Sequence, residues 1–194
     1  MSSVRRMFCV AMITLVTMVV PAVAHITPPV VLVSDRDALI TLLAGARRFF
    51  VREVRLTDAE KQKIREQTRW TPDEDFYRFY IGRDEQGRVV AATVFITEFT
   101  IHGPVRVAVA LGPDGKVRGA TVVELTEETY PWVKPLIDRQ FTREYVGRDA
   151  RGTFAVAGDG GDSMTHFYGE VVASLIRRAA VLYEVGVIAR GDAA

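Results

Sequence analysis

The spacing of apolar residues changes period along this chain, and the changes mark its elements. Ser34-Asp35-Arg36-Asp37 offers a helix N-cap, and the apolar positions of ALITLLAG (38–45) carry that helix to a stop at Gly45. Thr57 stands three residues before Glu60, the spacing of a capping box, and a second helix continues through KQKIREQ (61–67). Beyond Trp70-Thr71-Pro72 the pattern becomes that of strands. FYRFYI (76–81), VVAATVFIT (89–97), VRVAVAL (105–111) and VRGATVVEL (117–125) are rich in β-branched and aromatic residues. The turn clusters GRDEQGR (82–88), His102-Gly103-Pro104 and Gly112-Pro113-Asp114-Gly115 separate them. Short helix signals are mixed over 131–146. A long amphipathic helix follows from about Tyr168 to Glu184, with Val171, Val172, Leu175, Ile176, Ala179 and Leu182 on its apolar face and Arg177 and Arg178 off it. An antiparallel β-meander with helices before and after it predicts an α+β fold. Residues 25–39 are a lead-in, extended around Pro28-Pro29; residues 40–184 form the domain; VGVIARGDAA (185–194) is a loosely attached tail.

The first 24 residues differ in kind. Arg5 and Arg6 precede an apolar run from Met7 to Val20, and Pro21-Ala22-Val23-Ala24 supplies small residues for cleavage, so 1–24 reads as a signal peptide. The run is about fourteen residues, short of the roughly 20 that cross a bilayer as a permanent helix; an uncleaved anchor is the alternative. The expected location is the periplasm or another exported compartment. Cys9, the only cysteine, lies within this segment. The mature chain therefore excludes disulfides, thiolate catalysis, Fe–S clusters and CxxCH haem. The 194 residues, 48% hydrophobic and 25% charged, suffice for one domain with a real core. The formal charge of +1, which becomes −1 without the first 24 residues, offers no bulk attraction to nucleic acid.

Residues able to carry chemistry are few. His25, His102 and His166 lack the close spacing of a zinc motif, so a metal site has to be assembled by the fold. A mature N-terminal His25, joined by His102 or His166, is the one copper-binding combination. No serine stands in a nucleophile elbow, and no glycine-rich loop matches a dinucleotide or P-loop pattern. Glu124, Glu127 and Glu128 read first as a solvated strand end. The stretch Gly158-Asp159-Gly160-Gly161-Asp162-Ser163-Met164-Thr165-His166 leads into the last helix. A helix start with unpaired N–H groups and nearby hydroxyls suits an anion such as phosphate. The same letters also serve as an ordinary loop whose Ser or Thr caps the helix.

Taken in order, LLAGARRFF (42–50), VRLTDAEKQKI (54–64), HGPVRVAVALGPDGKVRGATVVEL (102–125), TEETYPWVKPLIDRQFTREYVGRD (126–149) and the glycine-rich loop with its helix resemble the FMN-binding domain family. That domain carries flavin in the Rnf complex and in sodium-translocating NADH:quinone reductase. The resemblance implies FMN as cofactor and electron transfer as function, with a membrane-bound or soluble redox partner and no substrate chemistry of its own. In the family the loop reads D-x-x-S-G-A-T, and its threonine is esterified to the flavin phosphate. One register puts Asp159 and Thr165 in the aspartate and threonine slots; the neighbouring register keeps Ser163 but places His166 where threonine stands. Asp162, Ser163 and Met164 replace the small S-G-A run, which weakens the case for covalent attachment. By the same resemblance Glu128, Thr129 and Tyr130 lie beside the flavin ring, with Pro131 in place of a glycine, and Tyr130 and Trp132 are aromatics able to stack on it. The runner-up is a degenerate domain serving as a non-flavin accessory or binding module of a respiratory or metal-handling complex.

Overall fold

The computed structural model describes residues 27–156 and 163–191. The signal-peptide reading, His25, Asp159 and Asp162 therefore lie outside the described residues.

The elements run β1 (Pro29–Val31), α1 (Asp35–Leu42), β2 (Arg48–Val54), α2 (Asp58–Thr68), β3 (Tyr77–Arg83), β4 (Val89–Thr100), β5 (Gly103–Leu111), β6 (Val117–Thr126), α3 (Tyr130–Asp138) and α4 (Ser163–Gly186). Short 3-10 turns at Phe141–Tyr145 and Ile188–Arg190 follow α3 and α4. The strands form one antiparallel sheet in the order β1-β6-β5-β4-β3-β2. The meander β3 to β6 is the expected one, and the fold is α+β. The structure adds two flanking strands: the lead-in pairs with β6, and ARRFF opens a strand that pairs with β3. β2 escapes a pattern reading because its first four residues alternate nothing: Arg48 to Val51 are all exposed on an edge, and only Val54 is buried.

The two faces of the sheet are built from residues of different size. In β5, Val105, Val107, Val109 and Leu111 join the main core beneath α4, whereas Ala108 and Ala110 point to the other face. There Ala38 of α1 packs on Ala108 and Val123, and Leu43 packs on Ala91 and Ala110. Alanines let a short helix approach closely; branched side chains opposite fill the space under a long one. Gly82 follows the same rule, since a Cβ there would lie 2.7 Å from the Ala46 methyl.

α4 begins at Ser163, five residues earlier than the apolar pattern implied, so Ser163 to His166 form its first turn rather than a loop before it. As far as Gly191, the tail after Glu184 is not loose. Val185 and Val187 are buried, and Arg190 reaches back to the Arg55 carbonyl and to Glu60 at 2.6 Å. Glu60 is also the reciprocal partner of Thr57, which confirms the capping box of α2.

The Arg190 hydrogen bond, more than the capping contacts of Thr57, pulls the Glu60 carboxyl from 4.5 to about 2. A depressed folded-state value stabilises above pH 4.5 and is lost as pH falls toward about 2, because the unfolded chain takes up the proton first. Arg190→Ala should therefore cost about 1 kcal/mol at neutral pH and flatten the fall in stability over that acid window. Urea unfolding of both proteins across the window measures it; parallel pH profiles would refute the assignment.

Candidate functional site

Three segments distant in sequence meet at one end of the sheet: the β4–β5 hairpin, the β6–α3 junction and the first two turns of α4. Two threonines hold the junction. Thr126 and Thr129 bond reciprocally, each hydroxyl accepting the other's backbone N–H, at 3.3 and 3.2 Å. The Thr126 hydroxyl donates to the His102 carbonyl at 2.8 Å, and the Thr129 hydroxyl donates to the Thr126 carbonyl at 3.1 Å. Both side chains are buried and their polar atoms satisfied, so they fix the hairpin to β6. Gly103 is needed beside them. Its φ is +101°, and a Cβ would lie 2.5 Å from the Thr126 methyl.

This knot presents His102. Its Nδ1 lies 2.7 Å from Glu128 Oε1, and to the ionised carboxylate, which can only accept, the ring donates its Nδ1–H. Trp132 packs on the imidazole at 5.1 Å between centroids and stacks on Tyr168 at 5.7 Å with planes 8° apart. The hydroxyl of Thr100 donates to the Gly103 carbonyl at 2.8 Å, so the Tyr168 hydroxyl donates to Thr100 across 3.2 Å. Burial raises the Tyr168 hydroxyl above its ordinary pKa, against the opposing pull of that bond. At this site it is a neutral donor. Phe167 meets Tyr168 edge-on at 5.2 Å and is 46% exposed.

The first turns of α4 sort its residues by side. Ser163, His166, Phe167 and Glu170 are exposed and follow the i, i+3, i+4, i+7 rule of one helix face. Thr165, Tyr168, Gly169 and Val172 are buried with the same spacing. The two registers left open by the sequence therefore differ physically. Thr165, at 5% exposure, faces the protein, while Ser163 and His166 face outward.

The other residues indicated by sequence divide in the same way. Glu128 is exposed and engaged with His102; Thr129 is spent inside the knot; Tyr130 is half-buried, the first residue of α3, and packs on the core. His102 and Tyr168 carry no motif of their own. The signal that could have found them is His102-Gly103-Pro104 at a strand start, where a hairpin must deliver a side chain to the sheet's end. Among the described residues no group of three His, Cys, Asp or Glu could hold a metal, and no helix is long and apolar enough to cross a membrane.

The chain matches no protein-family model and no curated protein.

The residues present suit a phosphorylated aromatic ring held without a covalent bond. The outward hydroxyl of Ser163 and imidazole of His166 sit on the first turn of a 24-residue helix, where the dipole favours an anion. Trp132 and Phe167 provide aromatic surface. The buried hydroxyl of Thr165 is poorly placed for esterification.

Removing the Tyr168 hydroxyl alone (Tyr168→Phe) should cost about 1 kcal/mol and leave the near-ultraviolet circular dichroism of the Trp132 stack intact. Gly103→Ala should cost more than about 1 kcal/mol, because it adds both backbone strain and a clash with Thr126. Urea titrations compare the two; an unperturbed Gly103→Ala protein would overturn the account of the knot.

Proposed function

We propose that the chain is an exported FMN-binding-domain protein that transfers electrons and holds its flavin non-covalently. The single observation that carries this reading is the convergence just described: the β6–α3 junction and the start of α4, the two segments that resemble flavin-contacting blocks, meet at one end of the sheet. When bound, FMN would supply one- and two-electron chemistry that no side chain of this protein has. Ser163 and His166 would hold the phosphate at the helix start. Trp132 and Phe167 would border the ring, and the knot of Thr126 and Thr129 would keep that border rigid. His102 would stand at the same border, its ring oriented by the Nδ1 bond to Glu128. In this reading the protein is a carrier that passes electrons on to a redox partner.

The runner-up, a non-flavin accessory module, is favoured by one specific feature: the Trp132–Tyr168 stack already covers one face of the indole ring. The two readings separate on colour. Protein purified after export and incubated with excess FMN should be yellow, and acid precipitation should release all of its flavin into the supernatant. Thr165→Val should stay yellow, whereas a Ser163→Ala/His166→Ala double variant should bind FMN at least about tenfold more weakly in a fluorescence titration, as expected when charge-assisted phosphate contacts are lost. Colourless wild-type protein would sink the flavin reading. Acid-stable colour that Thr165→Val abolishes would establish covalent attachment in its place.

A further inference from the structure

Among the described residues the most exposed large apolar side chain stands at the same end of the sheet as the candidate site. Ile101, in the two-residue turn between Thr100 and Gly103, is 92% exposed. Its neighbour in that turn is His102, from which ring contacts run to Tyr168 and on to the half-exposed Phe167. Phe99 belongs to the other side of the hairpin. Glu98 and Thr100 face α4, where they meet Arg178 and Tyr168, so the residue between them points away. Small solutes are held in concavities, whereas an apolar side chain projecting this far is covered by another macromolecule.

The charge around Ile101 and Phe167 has one sign. The three segments that build this end, 98–106, 124–132 and 163–170, contain five glutamates, one arginine and no lysine. Glu98 pairs with Arg178. Arg106 is held by Asp35 at 2.6 and 2.8 Å and faces Glu124 across the β5–β6 pair. Glu127, Glu128 and Glu170 are exposed and pair with no lysine or arginine among the described residues. Glu170 accepts the Val156 N–H at 3.0 Å, which leaves its charge in place. It shares the outward face of α4 with His166 and Phe167, and the next cation along that face, Arg177, stands about two turns further on.

We infer that this end of the sheet docks a redox protein whose own contact face is apolar at its centre and ringed by lysines or arginines. Ile101 and Phe167 enter the centre, and the three glutamates meet the ring. An apolar middle with a charged rim is how protein interfaces divide. Opposite charges also speed encounter, which suits a carrier that meets its partner repeatedly. The electron-transfer reading supplies the kind of partner; exposure and charge supply the surface. Other occupants match it poorly. An isologous second copy would set the same glutamates against one another, and an anionic bilayer would meet carboxylates first.

Cytochrome c, a basic haem protein, is the probe, and its lysine-acetylated form, which lacks those charges, is the control. Titration calorimetry at low salt should show binding to the first and none to the second, with affinity falling as salt rises. Glu127→Lys/Glu170→Gln should lower the affinity at least about tenfold, the glutamine keeping an oxygen for the Val156 N–H. Ile101→Ser should lower it at least about threefold with the salt dependence unchanged. Glu144→Lys, an exposed position in the 3-10 turn beside the start of β6, should leave binding as it is. All the altered side chains are exposed, so the unfolding midpoints should hold, which circular dichroism checks. No binding to cytochrome c, equal binding to its acetylated form, or the same loss in Glu144→Lys as in the double variant would overturn the inference. Colour keeps the two readings apart: a colourless protein that binds in this pattern retains the docking surface and loses the flavin, and a yellow protein that does not bind does the reverse.

Discussion

The burial of α4 against one face of the sheet is the constraint from which the rest of the molecule follows. Leu175, Ile176, Leu182 and Tyr183 are essentially without solvent contact, and each such side chain is worth about 1.5–3 kcal/mol of transfer free energy. That helix packs on β4, β5 and β6 and on α2 and α3, so it fixes the position of nearly every element on its side. A helix pinned along its length has pinned ends. Its first turns come to rest beside the β4–β5 hairpin, and its last turn delivers Val187 to the core and Arg190 to Glu60.

The candidate site inherits its rigidity from this arrangement and adds a local device. A hairpin tip and a strand-to-helix junction are usually the mobile parts of a meander. Here the reciprocal bonds of Thr126 and Thr129, with the Thr126 hydroxyl on the His102 carbonyl, convert both into one unit. Tyr168 then ties that unit to α4 through Thr100. Aromatic rings packed against one another on such a base have little freedom to rearrange, so any ligand must be met by a surface largely formed beforehand.

Period and turn chemistry made part of this legible. The four meander strands, the capping box of Thr57 and Glu60, and the apolar face of α4 follow from alternation, spacing and amphipathicity. What pattern reading missed has a physical cause in each case. β2 has no buried face until Val54, so it gives no period to read. The start of α4 is hidden because Ser163, His166 and Phe167 are polar or exposed, although the backbone there is already helical. The tail reads as loose because its apolar anchors, Val185 and Val187, are few, and the ion pair that joins them reaches Glu60, 130 residues away. For the site, the family resemblance pointed to Glu128 and the glycine-rich loop to the helix start, but the imidazole between them depended on a hairpin geometry that only Gly103 permits.

The early start of α4 bears directly on what the site can hold. If the helix began at Tyr168, Ser163 to His166 would form a loop free to turn any of its hydroxyls toward a ligand. Begun at Ser163, it distributes them by the helical repeat, and a residue two positions on from an exposed one faces inward. Thr165 is that residue. Were an anion bound at this end of the helix, it would meet Ser163 and His166, whose side chains share the outward face. An imidazole and a hydroxyl in that position would hold a phosphate reversibly, whereas a threonine ester would be permanent. Under the proposed flavin reading, the exposure pattern of one helical turn thus argues for an exchangeable cofactor over an attached one.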